Sequence, residues 1–225
     1  MLKIIRQGMP FFVLKGRLVT ALGIALLGSL SVAVSAKTLV VVDQHGSPVE
    51  NAVVELLDVT TNNPPPHQIA IMDQVNKQFS PTLLTVVQGQ QVSFPNSDDI
   101  RHHVYSFSPA KPFELKLYAG TPKAPITFEQ PGVVVLGCNI HDSMVGYIYV
   151  AQSSAVLVSD AQGTIELPDS VSEYLLWHPE QVNSITERAK MTWPKSHTRV
   201  QAEIELITPA PRNTFGERFK EHHGQ

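Results

Sequence analysis

Three side chains that bind soft metal ions lie close together in the segment CNIHDSM, namely Cys138, His141 and Met144. The segment joins two predicted apolar strands, residues 132–138 and 146–151. A loop between two strands can direct a thiolate, an imidazole and a thioether toward one point. Sulfur ligands combined with imidazole suit copper, so this loop is predicted to supply part of a copper site.

A further ligand has to come from another part of the chain, and two neighbouring histidines, His102 and His103, lie at the start of a predicted strand. Side chains alternate between the two faces of a strand, so His102 shares its face with Val104, whereas His103 shares the other face with two aromatic residues. Burial of that aromatic pair would favour His103 as the ligand. Two imidazoles, one thiolate and a weak axial thioether make a blue, or type 1, copper site for electron transfer.

Residues from about 66 to 152 resemble the cupredoxins, in particular the plastocyanin–amicyanin group. The spacing Cys-x2-His-x2-Met is that of amicyanin, and the upstream family pattern is present as Phe94, Asn96 and His102. Gly89 matches the turn before this pattern, and QPGVVVLGC matches the strand that leads to the cysteine. The resemblance implies an all-β fold, a Greek-key cupredoxin β-sandwich, that holds one copper ion alternating between Cu(I) and Cu(II).

The resemblance assigns the copper ligands to four residues: His102, Cys138, His141 and Met144. Because the spacing from Asn96 fits His102, we expect that histidine, rather than His103, to be the first ligand. Asn96 is expected to tie the first ligand loop, the segment that leads to His102, to the cysteine loop, which runs from Cys138 to Met144. His103 is expected to lie beside the ligands, at a position where the family often has asparagine. Ile140 stands where the family often has proline, and this difference removes no ligand.

In the family, the second of the two histidine ligands, which lies in the loop after the cysteine, reaches the surface, and electrons pass through the edge of its ring. This role falls here to His141. Its neighbours Ile140 and Val145 are expected to form a small apolar patch that docks redox partner proteins. Charged residues are expected around this patch, either as part of the docking surface or as a solvated rim: Asp98, Asp99, Arg101 and Asp142. An electron carrier of this kind is not an enzyme.

Residues 37–58 and 155–178 resemble the carboxypeptidase-regulatory-like, transthyretin-type β-sandwich modules, through the patterns Asp-x-x-Gly-x-Pro, Ala-Val-Val-x-Leu and Ser-Asp-Ala-Gln-Gly-x-Ile. The resemblance implies a second sandwich into which the cupredoxin is inserted, and extra strands around one enlarged cupredoxin are the alternative. The predicted boundaries are 37–65 and 153–208 for the accessory sandwich, 66–152 for the cupredoxin and 209–225 for a flexible tail. Residues 183–191 are the only predicted helix.

Residues 1–36 contain four basic residues and then an apolar segment that ends in small residues. This pattern predicts a signal peptide that is cleaved after Ala36, and a retained membrane anchor is the alternative. We therefore expect a periplasmic protein with no stable membrane insertion after cleavage. Loss of the four basic residues changes the formal net charge from −3 to −7, which gives no electrostatic basis for binding nucleic acid.

Together these features predict a periplasmic type 1 copper protein that transfers single electrons between a donor and an acceptor protein. The amicyanin-like loop points to a methylamine-utilisation-type pathway. The alternatives are a copper-binding or copper-delivery protein and a structural or binding β-sandwich without a redox role. Delivery sites are usually exposed and rich in methionine or histidine, whereas this chain has only five methionines.

Overall fold

Seventeen β-strands and no helix form the part of the chain that the computed structural model describes, residues 36–58 and 68–207. Short runs of valine, leucine and isoleucine between glycine and proline residues favour strands, so the all-β prediction is confirmed. In these two ranges, no helix is long and apolar enough to cross a membrane. The predicted signal peptide, apart from Ala36, the proline-rich residues 59–67 and the predicted tail at 209–225 lie outside the described residues.

The sandwich that carries the candidate ligands has a five-stranded sheet on one side. Its strands in spatial order are β6 (Leu83–Val87), β12 (Val145–Ala151), β11 (Gly132–Gly137), β8 (His102–Ser106) and β9 (Phe113–Tyr118). β6 and β12 are parallel, and the other neighbours are antiparallel. Because β8 and β11 are antiparallel neighbours, the start of β8 and the end of β11 lie at the same end of the sheet.

A smaller sheet and a hairpin complete this first sandwich. The smaller sheet has the order β10 (Ile126–Thr127), β7 (Gln91–Ser93) and β3 (Ala70–Ile71), and the hairpin consists of β4 (Asp73–Val75) and β5 (Gln78–Ser80). The buried core contains large apolar side chains from both sheets and from the loops, among them Phe79, Phe94, Val104, Phe128, Leu136 and Ile148. Burial of each such side chain contributes about 1.5–3 kcal/mol to stability.

A second pair of sheets is built from strands that precede and follow the first sandwich in sequence. One sheet has the order β14 (Thr164–Pro168), β1 (Ala36–Val42) and β17 (Arg199–Glu203). The other has the order β13 (Val156–Val158), β2 (Val53–Leu56), β15 (Glu173–Trp177) and β16 (Ala189–Thr192). The two flanking segments that resemble one module thus meet in shared sheets, around a core of their own. The domain boundaries themselves stay predictions.

The two sandwiches belong to one compact unit and share a buried cluster of side chains. The cluster contains Val53 and Trp177 from the second sandwich and Val133, Tyr149 and Ala151 from the first. The ring of Trp177 lies 5.8 Å from that of Tyr149, centroid to centroid. Because β12 carries Tyr149 and begins directly after the ligand loop, the second sandwich supports the strand that closes the candidate metal centre.

The predicted helix at 183–191 is wrong, since these residues form turns and then enter β16. Side chains bind the carbonyl groups that a helix would use internally. The Gln181 side-chain amide donates to the carbonyls of Ser184 and Glu187, and the Trp177 indole N–H donates to the carbonyl of Ile185. These local bonds from side chains to backbone carbonyls hold the segment in turns and override its helix propensity.

His178 makes the stability of the fold depend on pH. Its ring is buried, with Nε2 3.0 Å from the carbonyl of Glu50 and Nδ1 accepting the N–H of Glu180. Burial lowers the pKa of His178, and its neighbours Glu50 and Glu180 oppose this only in part. Below about pH 6.5, His178 of the unfolded chain therefore binds a proton more readily than His178 of the folded chain. The free energy of unfolding thus falls as the pH falls, by at most about 1.4 kcal/mol per pH unit.

Urea unfolding between pH 7.5 and 5.5 measures this effect. We expect His178→Gln to have a smaller loss of stability over that range than the unchanged protein. His45→Gln, which alters an exposed histidine, is the control and should keep the full loss. Equal pH slopes for all three proteins would contradict the prediction.

Candidate metal centre

The position of β8 in the sheet decides which of the two neighbouring histidines faces the core. His102, Val104 and Ser106 are buried, whereas the residues between them are partly exposed. The aromatic pair that would have favoured His103 therefore faces outward, and Phe107 is 85% exposed. His102 points inward at the end of the sheet where the cysteine loop begins.

Cys138 directly follows β11 and lies next to the ring of His102. Its side chain is buried, and Sγ is 3.8 Å from His102 Nδ1. The close approach depends on the antiparallel register of β8 and β11, which pairs Gly137 with Tyr105. The tertiary fold thus brings together two residues that are 36 positions apart in sequence.

His141 completes a group of three potential ligands. One side-chain atom each from His102, Cys138 and His141 lies within 4.8 Å of the others. The loop turns tightly here, with the backbone N–H of Met144 donating to the carbonyl of His141 at 2.9 Å. Met144 is buried in the same core cluster as Cys138, and its role as the axial ligand stays a prediction.

The Nδ1 atom of His141 is buried and has no hydrogen-bond partner among the described residues. A buried polar atom without a partner costs about 1–3 kcal/mol unless something else binds it. A metal ion between the three side chains would bind this lone pair. The set of two imidazoles and one thiolate fits copper, and these residues are therefore suited to hold it.

Asp98 is the closest polar partner of His102. Its Oδ2 atom lies 2.6 Å from His102 Nε2, and its side chain is only 11% exposed. Burial alone would raise the pKa of Asp98, but hydrogen bonds from Lys77, His102 and Asn76 outweigh it and lower the pKa. Asp98 thus contacts a candidate ligand directly, and its place among the charged surroundings of the docking patch stays a prediction.

Asn96 holds the loop before β8, although not in the expected way. Its amide nitrogen donates to the carbonyls of Ile100 and Tyr118, each at 2.9 Å. Its amide oxygen accepts the backbone N–H of Asp98 at 3.1 Å. Asn96 thus ties the first ligand loop to β9 and to Asp98, and the described hydrogen bonds of its side chain do not reach the cysteine loop.

His103 lies outside the group of three. Its Nε2 atom is 3.0 Å from Glu114 Oε1, and its Nδ1 atom faces the side chain of Asn139. Asn139 directly follows Cys138, so His103 borders the cysteine loop from the outer face of the sheet. This is the neighbouring position that the sequence led us to expect for His103, and its influence on the metal stays a prediction.

The residue before Cys138 is a glycine for a steric reason that the sequence did not reveal. A Cβ atom on Gly137 would lie 2.7 Å from the ring of Tyr105, which rests on the glycine. Only glycine allows this close approach without movement of the ring. The contact fixes the end of β11, from which Cys138 projects.

The predicted electron-transfer surface surrounds His141. His141 is partly exposed, and its neighbours Ile140 and Val145 are 50% and 38% exposed. Asp99, Arg101 and Asp142 are exposed, and their place around this patch stays a prediction. One histidine of the group thus reaches toward solvent beside apolar side chains, whereas His102 and Cys138 are buried.

Neither a protein-family model nor a curated protein matches the chain, whereas solved structures do. The chain is similar to a purple cupredoxin from Nitrosopumilus maritimus, with 23% identity, 36% of this chain and 99% of the other covered, and a TM-score of 0.33. It is similar to the reduced Cu(I) form of an amicyanin variant, with 17% identity, 41% and 86% covered, and a TM-score of 0.33.

It is also similar to a copper-containing nitrite reductase from Thermus scotoductus, with 24% identity and a TM-score of 0.35. That match covers 49% of this chain and 28% of the reductase, so the chain spans less than a third of that enzyme. The structural neighbours of the chain are thus cupredoxins, the family that its motifs resemble. They leave the resemblance of the flanking segments to carboxypeptidase-regulatory-like modules as an expectation.

Proposed function

We propose that the protein is a type 1 copper electron carrier. The observation that supports the proposal most is the convergence of His102, Cys138 and His141, whose ligand atoms lie within 4.8 Å of one another. The Nδ1 atom of His141 is buried and lacks a partner among the described residues, so a bound metal ion would remove the cost of leaving it unpaired. Met144 is proposed as the weak axial ligand of the same site.

The protein holds these ligands in place by rigid elements. His102 belongs to β8, Cys138 directly follows β11, and Met144 directly precedes β12. These three strands are neighbours in one sheet, so the ligand positions are fixed by backbone hydrogen bonds and by core packing. When bound, copper would supply one-electron chemistry by alternating between Cu(II) and Cu(I). A cage that changes little between the two states keeps the cost of reorganisation small.

Burial of the group favours an electron carrier over a copper-delivery protein. The side chains of His102 and Cys138 are 0% and 4% exposed, whereas a delivery site has to release its ion to a partner. Of the three side chains, His141 is the one that reaches toward solvent, beside Ile140 and Val145. We propose that this patch docks donor and acceptor proteins in small, transient interfaces and that electrons pass through the edge of His141.

We further propose that the protein works in the periplasm. The support for this location is the leader at residues 1–36, with its basic start, its apolar middle and the small residues before the cleavage position. A single cysteine in an oxidising compartment has no partner for an internal disulfide. Its thiolate is therefore available for a metal ion.

The visible absorption spectrum of the purified protein during titration with Cu(II) tests the proposed function. We expect an intense charge-transfer band that saturates at about one copper per chain, because the Cys138 thiolate would bind Cu(II) directly. The band should disappear on reduction with ferrocyanide or ascorbate and return on reoxidation. A protein that binds Cu(II) without an intense visible band would overturn the proposal.

Two neighbouring substitutions form a matched control for this experiment. His102→Gln should lose the band, since it removes a buried side chain of the group, whereas His103→Gln should retain it. Both changes replace a histidine at the start of β8, so a general disturbance of the strand would affect both. Retention of the band in His102→Gln and its loss in His103→Gln would reverse the ligand assignment.

A further inference from the structure

Asp98 differs from a surface carboxylate in what it contacts. Its Oδ2 atom lies 2.6 Å from Nε2 of His102, a ring that is fully buried. A carboxylate at this distance accepts the proton of an imidazole N–H. The contact therefore places the ring proton of neutral His102 on Nε2 and leaves Nδ1 without a proton.

The other ring nitrogen faces the candidate metal centre. Nδ1 of His102 lies 3.8 Å from Cys138 Sγ, whereas Nε2 contacts Asp98. A nitrogen without a proton has a free lone pair, as metal binding requires. The hydrogen bond to Asp98 thus selects the tautomer whose lone pair points toward Cys138.

The carboxylate of Asp98 is itself held in place by the hairpin of β4 and β5. Its Oδ1 atom accepts the backbone N–H of Asn76 at 2.6 Å, and its Oδ2 atom accepts that of Lys77 at 2.9 Å. Both turn residues have positive φ angles, 53° and 59°, which directs their N–H groups to one acceptor. These bonds to the hairpin turn restrict movement of the carboxylate relative to His102.

We propose that Asp98 is a positioning residue that fixes the tautomer and orientation of His102 and increases its donor strength toward the metal through its negative charge. This inference rests on the proposed function for the nature of the metal. A ligating histidine that donates to a carboxylate is a stronger base than one that donates to a neutral acceptor. The stronger donor favours Cu(II) over Cu(I), so Asp98 lowers the reduction potential of the site.

Asp98→Asn tests the effect of the charge, because asparagine keeps the size and an oxygen acceptor. We expect the ratio of Cu(II) affinity to Cu(I) affinity to fall about tenfold, which corresponds to a rise in reduction potential of about 59 mV. Spectroelectrochemical titration of the copper-loaded protein measures the potential, and competition with chelators measures the two affinities.

Asp73→Asn is the matched control, since it removes the same charge from the start of β4, which contacts the residue before Asp98. Asp73 accepts hydrogen bonds from the backbone and side chain of Ser97, next to Asp98, and has no described contact with His102. Its potential should stay close to that of the unchanged protein. Equal shifts in both variants, or no shift in Asp98→Asn, would overturn the proposed role of the charge.

Nitrogen-15 NMR of the metal-free, unsubstituted protein tests the tautomer without any variant and without copper. We expect the proton of His102 on Nε2, and a proton on Nδ1 would overturn the positioning role. This measurement separates the two proposals. If the unsubstituted protein lacks the charge-transfer band, the proposed function fails, while a proton found on Nε2 would still support the contact between Asp98 and His102.

Discussion

Cys138→Ser is expected to abolish the charge-transfer band of the copper-loaded protein. Cys138 is the only cysteine of the chain, so no other thiolate can replace it. A serine hydroxyl keeps its proton at neutral pH and is a hard oxygen donor, whereas an intense visible band needs the soft thiolate bound to Cu(II). The change is small in volume, so the metal-free variant should keep its β-sheet structure.

Three measurements decide this prediction: the visible spectrum at saturating Cu(II), the copper affinity, and far-UV circular dichroism as a check of the fold. Met144→Leu is the comparison variant, because it removes the proposed weak axial ligand but keeps a buried apolar side chain in the same loop. That variant should retain an intense band with altered position. An intense band in Cys138→Ser would place the copper somewhere other than the group formed by His102, Cys138 and His141.

Glu55→Ala is expected to lower the free energy of unfolding by about 3–5 kcal/mol, because removal of a buried charge leaves its partners without an acceptor. Glu55 is fully buried between the two sandwiches. Its carboxylate accepts the hydroxyl of Tyr149 at 2.9 Å, the backbone N–H of Gln152 at 2.7 Å and Arg188 Nη1 at 3.2 Å.

Tyr149 contributes to this network as a donor. Burial, followed by the neighbouring Glu55 carboxylate, raises the pKa of Tyr149, so the hydroxyl keeps its proton throughout the physiological pH range. Arg188 lies over the same ring, with its guanidinium carbon 5.7 Å from the ring centroid. Loss of Glu55 therefore affects β12, the strand that follows the candidate ligand loop.

Glu173→Ala is the control for this prediction, since it removes the same kind of side chain from β15, the strand beside Glu55. Glu173 pairs with Lys190 at 2.8 Å, but these two side chains are 39% and 57% exposed to solvent. An exposed pair contributes no more than about 1 kcal/mol. Urea unfolding of the two variants, with a tryptophan-fluorescence readout, should separate them clearly. Similar losses of stability would contradict the assigned role of the buried carboxylate.

The sequence by itself determined the features that depend on local spacing. Alternating apolar residues between turn residues indicated strands, and the described chain is all-β. The segment from Cys138 to Met144 fixed the spacing of three candidate ligands, because a loop between strands keeps close residues close in space. The spacing from Asn96 favoured His102, the histidine that the structure brings to Cys138 and His141.

Only the tertiary structure decided the features that depend on what covers a face or accepts a proton. Glu55 lies between two inward-facing apolar residues, so alternation alone would place it in solvent, but the other sandwich covers that face of β2. Asp98 looked like a surface charge because nothing in the sequence shows that its loop folds back. In the structure, this fold brings its carboxylate to the ring of His102 and to the backbone N–H of Asn76. Residues 183–191 had helical character, but the folded chain places the nearby side chain of Gln181 on the carbonyl groups of Ser184 and Glu187. Local spacing sets which residues can meet, whereas burial and long-range hydrogen bonds select which of them do.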